Sequence, residues 1–308
     1  MRKIAFIFPG QGSQYVGMGK ELYDHISESK AIFDFADEVL DFKVSELCFN
    51  GPKEELDKTK NTQPAILTVS IAILRALEGK GIKPYITAGL SLGEYSALVA
   101  SGSLSFEEAL LLVRKRGKLM EEAVPKGIGS MAAIIGLSYE RVDEIVKGAS
   151  SKGFIAISNI NCPKQIVLGG EVAAIKEACN IAKDMGAMRA VELSVSGPFH
   201  TAMLKEAANN LELELNKVKF NKPNIPIITN VTGEVMEEEN FVETLKKQVM
   251  SPVLWEKSIE TMINKGVDTF IEIGPSKVLS GFIKKINRKV EIFNIEDLDT
   301  LEKTISSL

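Results

Sequence analysis

The stretch Tyr85-Ile86-Thr87-Ala88-Gly89-Leu90-Ser91-Leu92-Gly93 joins a short apolar run to a tight turn with a serine at its centre. The run at 85–88 predicts a buried strand, and residues 93–99 predict a helix. Gly-x-Ser-x-Gly between a strand and a helix is typical of a strained turn that lifts a serine hydroxyl above a sheet, close to the free N–H groups of the helix N-terminus. The alternative is an ordinary strand–helix turn. The elements on both sides favour Ser91 as a nucleophile.

Strands and helices alternate on both sides of this turn. Further strands are predicted at residues 4–8, 131–137, 154–158, 165–168, 188–195, 225–230 and 267–273, and helices at 22–39, 64–77, 105–122, from 138 onward and 172–185. The alternation predicts an α/β fold with a mostly parallel sheet. Within it, residues 129–194 follow the order β-α-β-β-α-β, which predicts an inserted ferredoxin-like unit. The turn-rich residues 159–163 are predicted to separate two strands of this unit.

The composition is that of a globular protein. Of the 308 residues 45% are hydrophobic and 25% charged, which excludes a disordered chain and a disulfide-rich scaffold. The net charge of -4 provides no overall positive field to attract nucleic acid or lipid headgroups. The cysteines form no Cys-x-x-Cys pair, so we expect neither disulfides nor a zinc site, and a reducing compartment: Cys48, Cys162 and Cys179.

No export signal or membrane span is expected. The first apolar run stops at Pro9-Gly10, and the weakly polar stretch at 86–104 contains Glu94 and several glycines. A cytoplasmic location is therefore predicted.

A serine nucleophile needs a base, and the chain has only two histidines. His25 lies beside Asp24 and Glu28 on the polar face of a predicted helix, as a surface residue does. His200 sits in a Gly-Pro turn at the exit from the inserted unit, although a capping or packed histidine would fit there too. Elimination favours His200 as the base. No carboxylate lies at an obvious strand end between Gly93 and His200, so a dyad whose histidine is held by a neutral acceptor such as a backbone carbonyl remains open.

The glycine-rich loop at residues 10–14 follows the first predicted strand. Tyr15 stands where the third glycine of a dinucleotide-binding motif belongs, and no Gly-Lys-Ser/Thr follows, so a phosphate site is not predicted. Ligands of open α/β sheets bind at the carboxyl ends of strands. The backbone N–H groups of this loop could therefore supply one half of an oxyanion hole.

A basic cluster, Arg114-Lys115-Arg116-Gly117-Lys118, lies on the helix predicted at 105–122. Such clusters are most often solvated faces. However, residues 114 and 116 cannot point the same way on a helix. One of these arginines is expected to face inward, where it needs an anion, and a carboxylate suits its geometry best.

Five short motifs together resemble one known family. They are found at residues 8–14 (Phe-Pro-Gly-Gln-Gly-Ser-Gln), 89–95 (Gly-Leu-Ser-Leu-Gly-Glu-Tyr), 116–117 (Arg-Gly), 197–200 (Gly-Pro-Phe-His) and 273–275 (Ile-Gly-Pro). Their order and spacing resemble those of the malonyl-CoA:acyl carrier protein transacylases, over essentially the whole chain.

The resemblance implies a fold and a set of roles. It implies an α/β-hydrolase-like large subdomain at 1–127 and 196–308, with a ferredoxin-like small subdomain inserted at 128–195. It implies that Ser91 is the nucleophile and His200 its base. It also implies the remaining site residues: Gln11 and Leu92, whose N–H groups form the oxyanion hole; Arg116, which pairs with the malonyl carboxylate; Phe199, whose bulk disfavours branched acyl chains; and Gln248, whose backbone carbonyl orients the histidine.

The activity implied by the resemblance is transfer of a malonyl group from malonyl-CoA to the phosphopantetheine thiol of acyl carrier protein in fatty-acid biosynthesis, through a malonyl-serine intermediate. Neither metal nor cofactor is expected, nor a nucleic-acid or membrane partner, and a monomer is the expected state. Three alternatives stay open. The same residues would serve a free-standing polyketide-type acyltransferase. A serine thioesterase or hydrolase would use Ser91 and His200 without needing an inward Arg116. A non-catalytic scaffold for carrier protein would need neither.

One position departs from the family pattern. The family usually has His before the nucleophile, whereas this chain has Leu90. Because side chains alternate along a strand, residue 90 is predicted to point away from the serine. The departure therefore concerns the polar contacts of that histidine and leaves the dyad in place.

Overall fold

The computed structural model describes residues 2–193, 195, 197–237 and 240–308. The strands are Ile4–Phe8 (β1), Ile86–Gly89 (β2), Gly129–Ile135 (β3), Ile155–Cys162 (β4), Gln165–Glu171 (β5), Arg189–Glu192 (β6), Ile227–Ile228 (β7), Val253–Leu254 (β8), Thr269–Ile273 (β9) and Glu291–Ile295 (β10). The helices are Lys20–His25 (α1), Ser27–Val39 (α2), Val44–Asn50 (α3), Lys53–Leu56 (α4), Thr59–Glu78 (α5), Gly93–Ala100 (α6), Phe106–Glu122 (α7), Tyr139–Ala149 (α8), Val172–Asp184 (α9), Lys205–Leu215 (α10), Phe241–Met250 (α11), Trp255–Asn264 (α12), Val278–Ile286 (α13) and Leu298–Ser307 (α14). None of the described helices has both the length and the apolar character needed to cross a membrane.

The first sheet is parallel and has the strand order β10-β9-β1-β2-β7. Its central strand β1 is buried on both faces. Phe6 and Phe8 pack into one core, and Ala5 and Ile7 pack into a second core on the opposite face. A strand that is buried on both faces appears in sequence as a continuous apolar run. For this reason the predicted strand at 4–8 is confirmed residue for residue.

Three strands of this sheet end at one edge. The register pairs Phe8 with Gly89 in β1 and β2, and Ala88 with Ile228 in β2 and β7. The loops that leave these strands therefore lie side by side at the carboxyl edge, where open α/β sheets place their ligands. They carry Gln11, Ser91 and Asn230.

The second sheet has the order β6-β3-β5-β4-β8. Its first four strands are antiparallel, and α8 and α9 pack against them through a separate core that includes Ile134, Val142 and Ile175. This is the strand order of a ferredoxin-like unit, as predicted. The fifth strand, β8, comes from far outside the insert and pairs in parallel with β4, at Asn159 and Val253. The fold class is thus α/β, with a parallel sheet and a second, mixed sheet.

Several predicted elements are wrong in extent. The turn predicted at 159–163 is confined to Pro163 and Lys164, because β4 continues to Cys162. The helical stretch at 22–39 is broken at Ile26, which has an extended backbone. β7 covers only two residues of the strand predicted at 225–230. The last strand of the insert ends at Glu192; residue 194 of that predicted strand and residue 196 at the predicted subdomain boundary lie outside the described residues.

Helix α5 begins at Thr59, before the proline that was predicted to start it. Pro64 lacks an N–H group, so it cannot bond to the carbonyl of Lys60 one turn earlier. Arg114 fills this gap: its Nη1 donates to the Lys60 carbonyl at 2.9 Å. A helix can therefore run through the proline because a side chain from α7 takes the place of the missing donor.

The turn between β2 and α6 requires its two glycines. A Cβ atom on Gly93 would lie 2.1 Å from the Phe8 carbonyl oxygen, and one on Gly89 would lie 1.9 Å from backbone atoms of Gly93. Real Cβ contacts are never this short, and both obstacles are backbone atoms, which cannot rotate away. Gly93 is thus required by how closely the turn approaches β1, and Gly89 by how tightly the turn folds on itself.

Replacing Gly93 by alanine should destabilise the protein by at least the ~1–3 kcal/mol typical of an overpacked interior. The matched control is Gly281→Ala in α13, where an added Cβ meets no atom within 4 Å. Because alanine is the better helix former, this control should stabilise by about 0.5–1 kcal/mol. The measurement is the free energy of unfolding in urea. Equal effects at the two positions would contradict the packing argument.

Candidate active site

Ser91 sits at the tip of the turn between β2 and α6 with a positive φ of 53°, a conformation that non-glycine residues rarely adopt. Asn230, just beyond β7, secures the turn on both sides. Its Oδ1 accepts from the Ser91 backbone N–H at 2.6 Å, and its Nδ2 donates to the Gly89 carbonyl at 2.7 Å. The strained backbone of the serine is therefore held by hydrogen bonds from a neighbouring strand.

His200 lies against the serine. Its Nε2 is 2.7 Å from Ser91 Oγ, and its Nδ1 is 2.8 Å from the backbone carbonyl oxygen of Gln248. A carbonyl oxygen can only accept, so Nδ1 carries the proton and Nε2 presents a lone pair to the serine hydroxyl. The group that orients the ring is therefore a neutral carbonyl and not a carboxylate.

The imidazole is held in its neutral form. Only 4% of His200 is exposed, and burial, followed by the positive charge of Arg116, lowers the pKa of His200 to about 4. Backbone hydrogen bonds with Gln248 and Ser251 raise the pKa of His200, but by less than burial and Arg116 lower it. At neutral pH the ring is consequently available to accept a proton.

Arg116 is the inward-facing residue of the basic cluster. It is 1% exposed, and its Nη2 donates to Ser91 Oγ at 3.2 Å and to Gln248 Oε1 at 2.9 Å. Its Nη1 donates to Gln63 Oε1 at 2.9 Å. Arg114 points elsewhere, to the Asn61 side chain and to an ion pair with Asp41.

The charge of Arg116 has no directly bonded carboxylate among the described residues. Its hydrogen-bond partners there are two amides and a hydroxyl, and its guanidinium lies 5.5 Å from the centre of the Tyr95 ring. Its Nε is buried and makes no hydrogen bond within that part of the chain. A buried cation with neutral partners favours an anion that enters beside it. This anion would lie next to the serine hydroxyl.

Glu94 is the carboxylate nearest to this group in the hydrogen-bond network. It is fully buried in the first turn of α6, and its Oε2 accepts from Gln248 Nε2 at 2.8 Å and from the Asn230 N–H at 3.1 Å. Burial raises the pKa of Glu94 to about 7 despite these hydrogen bonds. The Gln248 side chain thus links Arg116 to Glu94, while its backbone carbonyl holds His200.

Two backbone N–H groups lie beside the serine without a partner. Those of Gln11 and Leu92 donate no hydrogen bond to any described residue. The loop that carries Gln11 touches the turn closely, because a Cβ on Gly10 would lie 2.4 Å from the Leu90 carbonyl oxygen. Both residues border the same cavity as Ser91.

The cavity has a volume of about 220 Å³. Ser91, His200 and Arg116 line it, and most of its remaining wall is apolar: Met120, Met131, Val167, Leu193, Val195, Phe199, Val278, Leu279 and Phe282. Leu90 also borders it, and its side chain packs against the second core of the parallel sheet.

Comparisons with known proteins identify the family of this chain. Residues 5–301 match the family described as acyl transferase domain. The chain is 49% identical to malonyl CoA-acyl carrier protein transacylase of Bacillus subtilis (strain 168), over 100% of this chain and 98% of that protein, and 45% identical to the protein of the same name from Staphylococcus aureus (strain MRSA252), over 98% of each. The chain belongs to the acyl transferase family.

Solved structures of acyl transferases have the same fold. That of malonyl CoA-acyl carrier protein transacylase from Clostridium perfringens has a TM-score of 0.96 at 52% identity, covering 99% of this chain and 96% of that one. A malonyl-transacylase solved in complex with the acyl carrier protein of a type II polyketide synthase has a TM-score of 0.97 at 39% identity, covering 99% and 100%.

Sequence reasoning missed several members of this acyl transferase site. Gln63 directly precedes the proline that was taken for a helix start, so its place inside α5 was hidden. Glu94 lies within the motif at 89–95 and in the stretch that argues against a membrane span, but the sequence analysis assigns it no role in the site. Its place three residues after the serine, as the one charged residue of a largely apolar helix, was the signal available. Asn230 was included in a predicted strand and carried no motif.

The variant Glu94→Gln tests whether the buried carboxyl group of Glu94 keeps its proton in the folded protein. Because the pKa of Glu94 is raised to about 7, the folded protein keeps a proton that the unfolded chain releases near 4.5. The fold therefore loses stability as pH rises from 4.5 to about 7, by at most about 1.4 kcal/mol per pH unit. Glutamine has no such proton, so the free energy of unfolding of Glu94→Gln should rise relative to the parent across this window and level off above it.

The measurement is urea unfolding at a series of pH values between about 5 and 8. Glu107→Gln, at an exposed position on α7, is the control and should follow the parent at every pH. If Glu94→Gln follows the parent as well, the carboxyl does not titrate in this window and the argument from burial fails.

Proposed function

We propose that this protein transfers a malonyl group from malonyl-CoA to the phosphopantetheine thiol of an acyl carrier protein, in fatty-acid biosynthesis. The names of its relatives support the donor and the acceptor. The observation that carries the proposal is the position of Arg116: a fully buried guanidinium, bonded to neutral groups, 3.2 Å from the hydroxyl of the serine. That is where the free carboxylate of a malonyl thioester would lie when its carbonyl carbon meets Ser91.

The first half-reaction loads the serine. His200 Nε2 accepts the hydroxyl proton as Ser91 Oγ attacks the thioester carbonyl carbon, and the N–H groups of Gln11 and Leu92 hold the resulting oxyanion. The C–S bond then breaks, and the departing CoA sulfur takes the proton from Nε2. Because Nδ1–H stays bonded to the Gln248 carbonyl, the ring keeps its orientation while Nε2 gains and loses the proton.

The second half-reaction runs the same steps in reverse with a new thiol. The carrier thiol gives its proton to His200 Nε2 and attacks the malonyl-serine ester. The oxyanion forms again in the same place, and Ser91 leaves with the proton from Nε2. One base and one oxyanion hole therefore serve both directions, and neither step needs a metal or a redox group.

The site also bears on the alternatives. A general thioesterase has no use for a buried cation beside its nucleophile, so Arg116 favours a transferase for a dicarboxylic acyl group. The bulk of Phe199 beside His200 suits an acyl chain without a branch. A polyketide-type acyltransferase is the second candidate, because a related malonyl-transacylase was solved with a polyketide carrier protein.

Other features of the protein are proposed with the activity. We propose the subdomain division at 1–127 with 196–308, and 128–195, which the separate hydrophobic core within residues 132–190 supports. The cytoplasmic location is supported by buried, unpaired Cys48, Cys162 and Cys179. The monomeric state stays a prediction.

Covalent labelling tests the nucleophile and its base. Ser91→Ala should abolish the mass increase that malonyl-CoA gives to the intact protein. His200→Ala should slow its appearance by about 10²–10⁴-fold, because a positioned general base contributes this much to the rate. Peptide mapping then locates the malonyl group, and its discovery on another serine would overturn the assignment.

Acyl selectivity tests Arg116. Arg116→Ala should lose about 2–5 kcal/mol of transition-state stabilisation with malonyl-CoA but keep or gain activity with acetyl-CoA, which has no carboxylate to pair. Arg116→Lys should restore part of the loss, since a point charge cannot reproduce two parallel hydrogen bonds. The measured quantity is the ratio of kcat/KM for the two donors.

Arg114→Ala is the matched control for this ratio. Arg114 lies on the same helix, but its hydrogen bonds go to residues 60 and 61 and its ion pair to residue 41. The ratio should stay unchanged in this variant. A ratio that changes with Arg114 and not with Arg116 would move the carboxylate site to the other arginine.

A further inference from the structure

Ser13 closes a tight turn in the loop that follows β1. Its hydroxyl Oγ donates to the carbonyl oxygen of Gly10 at 2.8 Å, and its backbone N–H lies 3.4 Å from the same oxygen. Gly12, the third residue of the turn, has a φ of 101°, which favours glycine at this position. Ser13 is 3% exposed, so its hydroxyl bond is shielded from water. The short bond from the side chain is therefore the main contact that closes the turn.

The bonded carbonyl belongs to the same peptide group as the N–H of Gln11. A peptide group is planar and trans, so its C=O and its N–H point in opposite directions. A carbonyl held on the inside of the turn therefore directs the Gln11 N–H outward. This N–H donates to no described residue, and Gln11 borders the cavity of Ser91. Its direction is thus set by the hydrogen bond at the other end of its peptide.

The two donors of the proposed oxyanion hole are held in different ways. Leu92 has the backbone dihedral angles of a helix, and α6 begins at the next residue, so the helix itself sets the direction of the Leu92 N–H. Gln11 lies in no helix or strand. Its N–H consequently depends on side-chain contacts within the loop, and Ser13 makes the one that reaches its peptide.

Ser13 is in turn held by the C-terminal part of the chain. Ser276 Oγ donates to the Ser13 carbonyl oxygen at 3.1 Å, and the Ser276 N–H donates to Glu296 Oε2 at 2.9 Å. Ser276 has a φ of 68°, a strained value for a residue other than glycine. Such strain is stored mainly at functional sites, and Ser91 and His200 also have positive φ values. The turn is therefore fixed from outside as well as from within.

We propose that Ser13 is a positioning residue of the oxyanion hole. It holds the Gly10 carbonyl and thereby directs the Gln11 N–H at the oxygen that becomes negative when the acyl carbonyl is attacked. The same hydrogen bond polarises the peptide and makes its N–H a stronger donor. The proposal rests on the function proposed above, and it gives Ser13 a role in both half-reactions because the same oxyanion forms in each.

The variant Ser13→Ala tests this role by removing the hydroxyl. The rate constant of acylation at saturating malonyl-CoA should fall about tenfold, a part of the about 10²–10³-fold that removal of an oxyanion donor costs. The concentration that gives half of this rate constant should not change, because the negative charge develops only in the transition state. Acetyl-CoA should show the same factor, since both donors form the same oxyanion. The measurement is intact mass after rapid mixing and quenching.

Two further variants separate the hydrogen bond from packing. Ser13→Cys keeps the shape of serine but offers only a weak donor, so it should follow the alanine variant. Ser70→Ala removes a fully buried hydroxyl that makes no hydrogen bond with a described residue, and it should keep the rate constant of the parent. Circular dichroism checks the fold of each, and if one Ser13 variant fails to fold, the other decides the result.

A fluorophosphonate provides a second probe that does not depend on the malonyl group. Ser91 Oγ displaces its fluoride, and the phosphoryl oxygen takes the place of the oxyanion. Both Ser13 variants should be labelled about tenfold more slowly than the parent. An unchanged rate constant with acyl donors and fluorophosphonate, a change only in the half-saturating concentration, or a loss with malonyl-CoA alone would overturn the role of Ser13.

The parent protein distinguishes this failure from that of the proposed function. If the parent reacts with the fluorophosphonate at Ser91 but forms no malonyl-enzyme from malonyl-CoA, the proposed function is wrong. The role of Ser13 is then decided by the fluorophosphonate rates of its two variants.

Discussion

A buried cation and a buried carboxyl group, separated by one amide, set the arrangement of this site. Arg116 and Glu94 do not touch; the Gln248 side chain accepts from the first and donates to the second. Placing charged groups out of water is costly unless each of their polar atoms is paired. The surrounding residues pair most of these polar atoms. Gln63 accepts a hydrogen bond from the arginine, and the Asn230 backbone N–H donates to the carboxyl group. The Asn230 side chain also accepts from the backbone N–H of Ser91 and so holds the serine turn.

The double use of Gln248 makes catalysis and substrate recognition dependent on each other. Its backbone oxygen sets the tautomer and orientation of His200, and its side chain sets the position of the guanidinium. A shift of α11 would therefore move the base and the anion-binding group together. A site with one residue in both roles cannot easily lose its acyl selectivity without also disturbing its proton transfer.

The sequence predicted the parts of this site that local rules control. Strand β1 is apolar throughout because both of its faces are buried. The turn at Ser91 is recognisable in the sequence from its two glycines. His200 could be assigned as the base because the chain has only two histidines and the other is predicted to lie on the surface. The rest depends on contacts between distant segments. Gln63 was hidden because a partner on α7 lets α5 run through Pro64. The asparagines of β4 were assigned to a turn, since their residue type favours turns when no neighbouring strand is known, and the pairing with β5 and β8 decides otherwise.

The pairing of β8 with β4 has a mechanical consequence. A subdomain that is joined to a larger unit only by its two chain connections can rotate relative to that unit. Backbone pairing with a third segment restricts such motion, and the ladder between Asn159–Ile160 and Val253–Leu254 is a pairing of this kind. We therefore expect the second sheet to move together with the segment that follows α11, so that both sides of the cavity keep their relative positions when substrate binds.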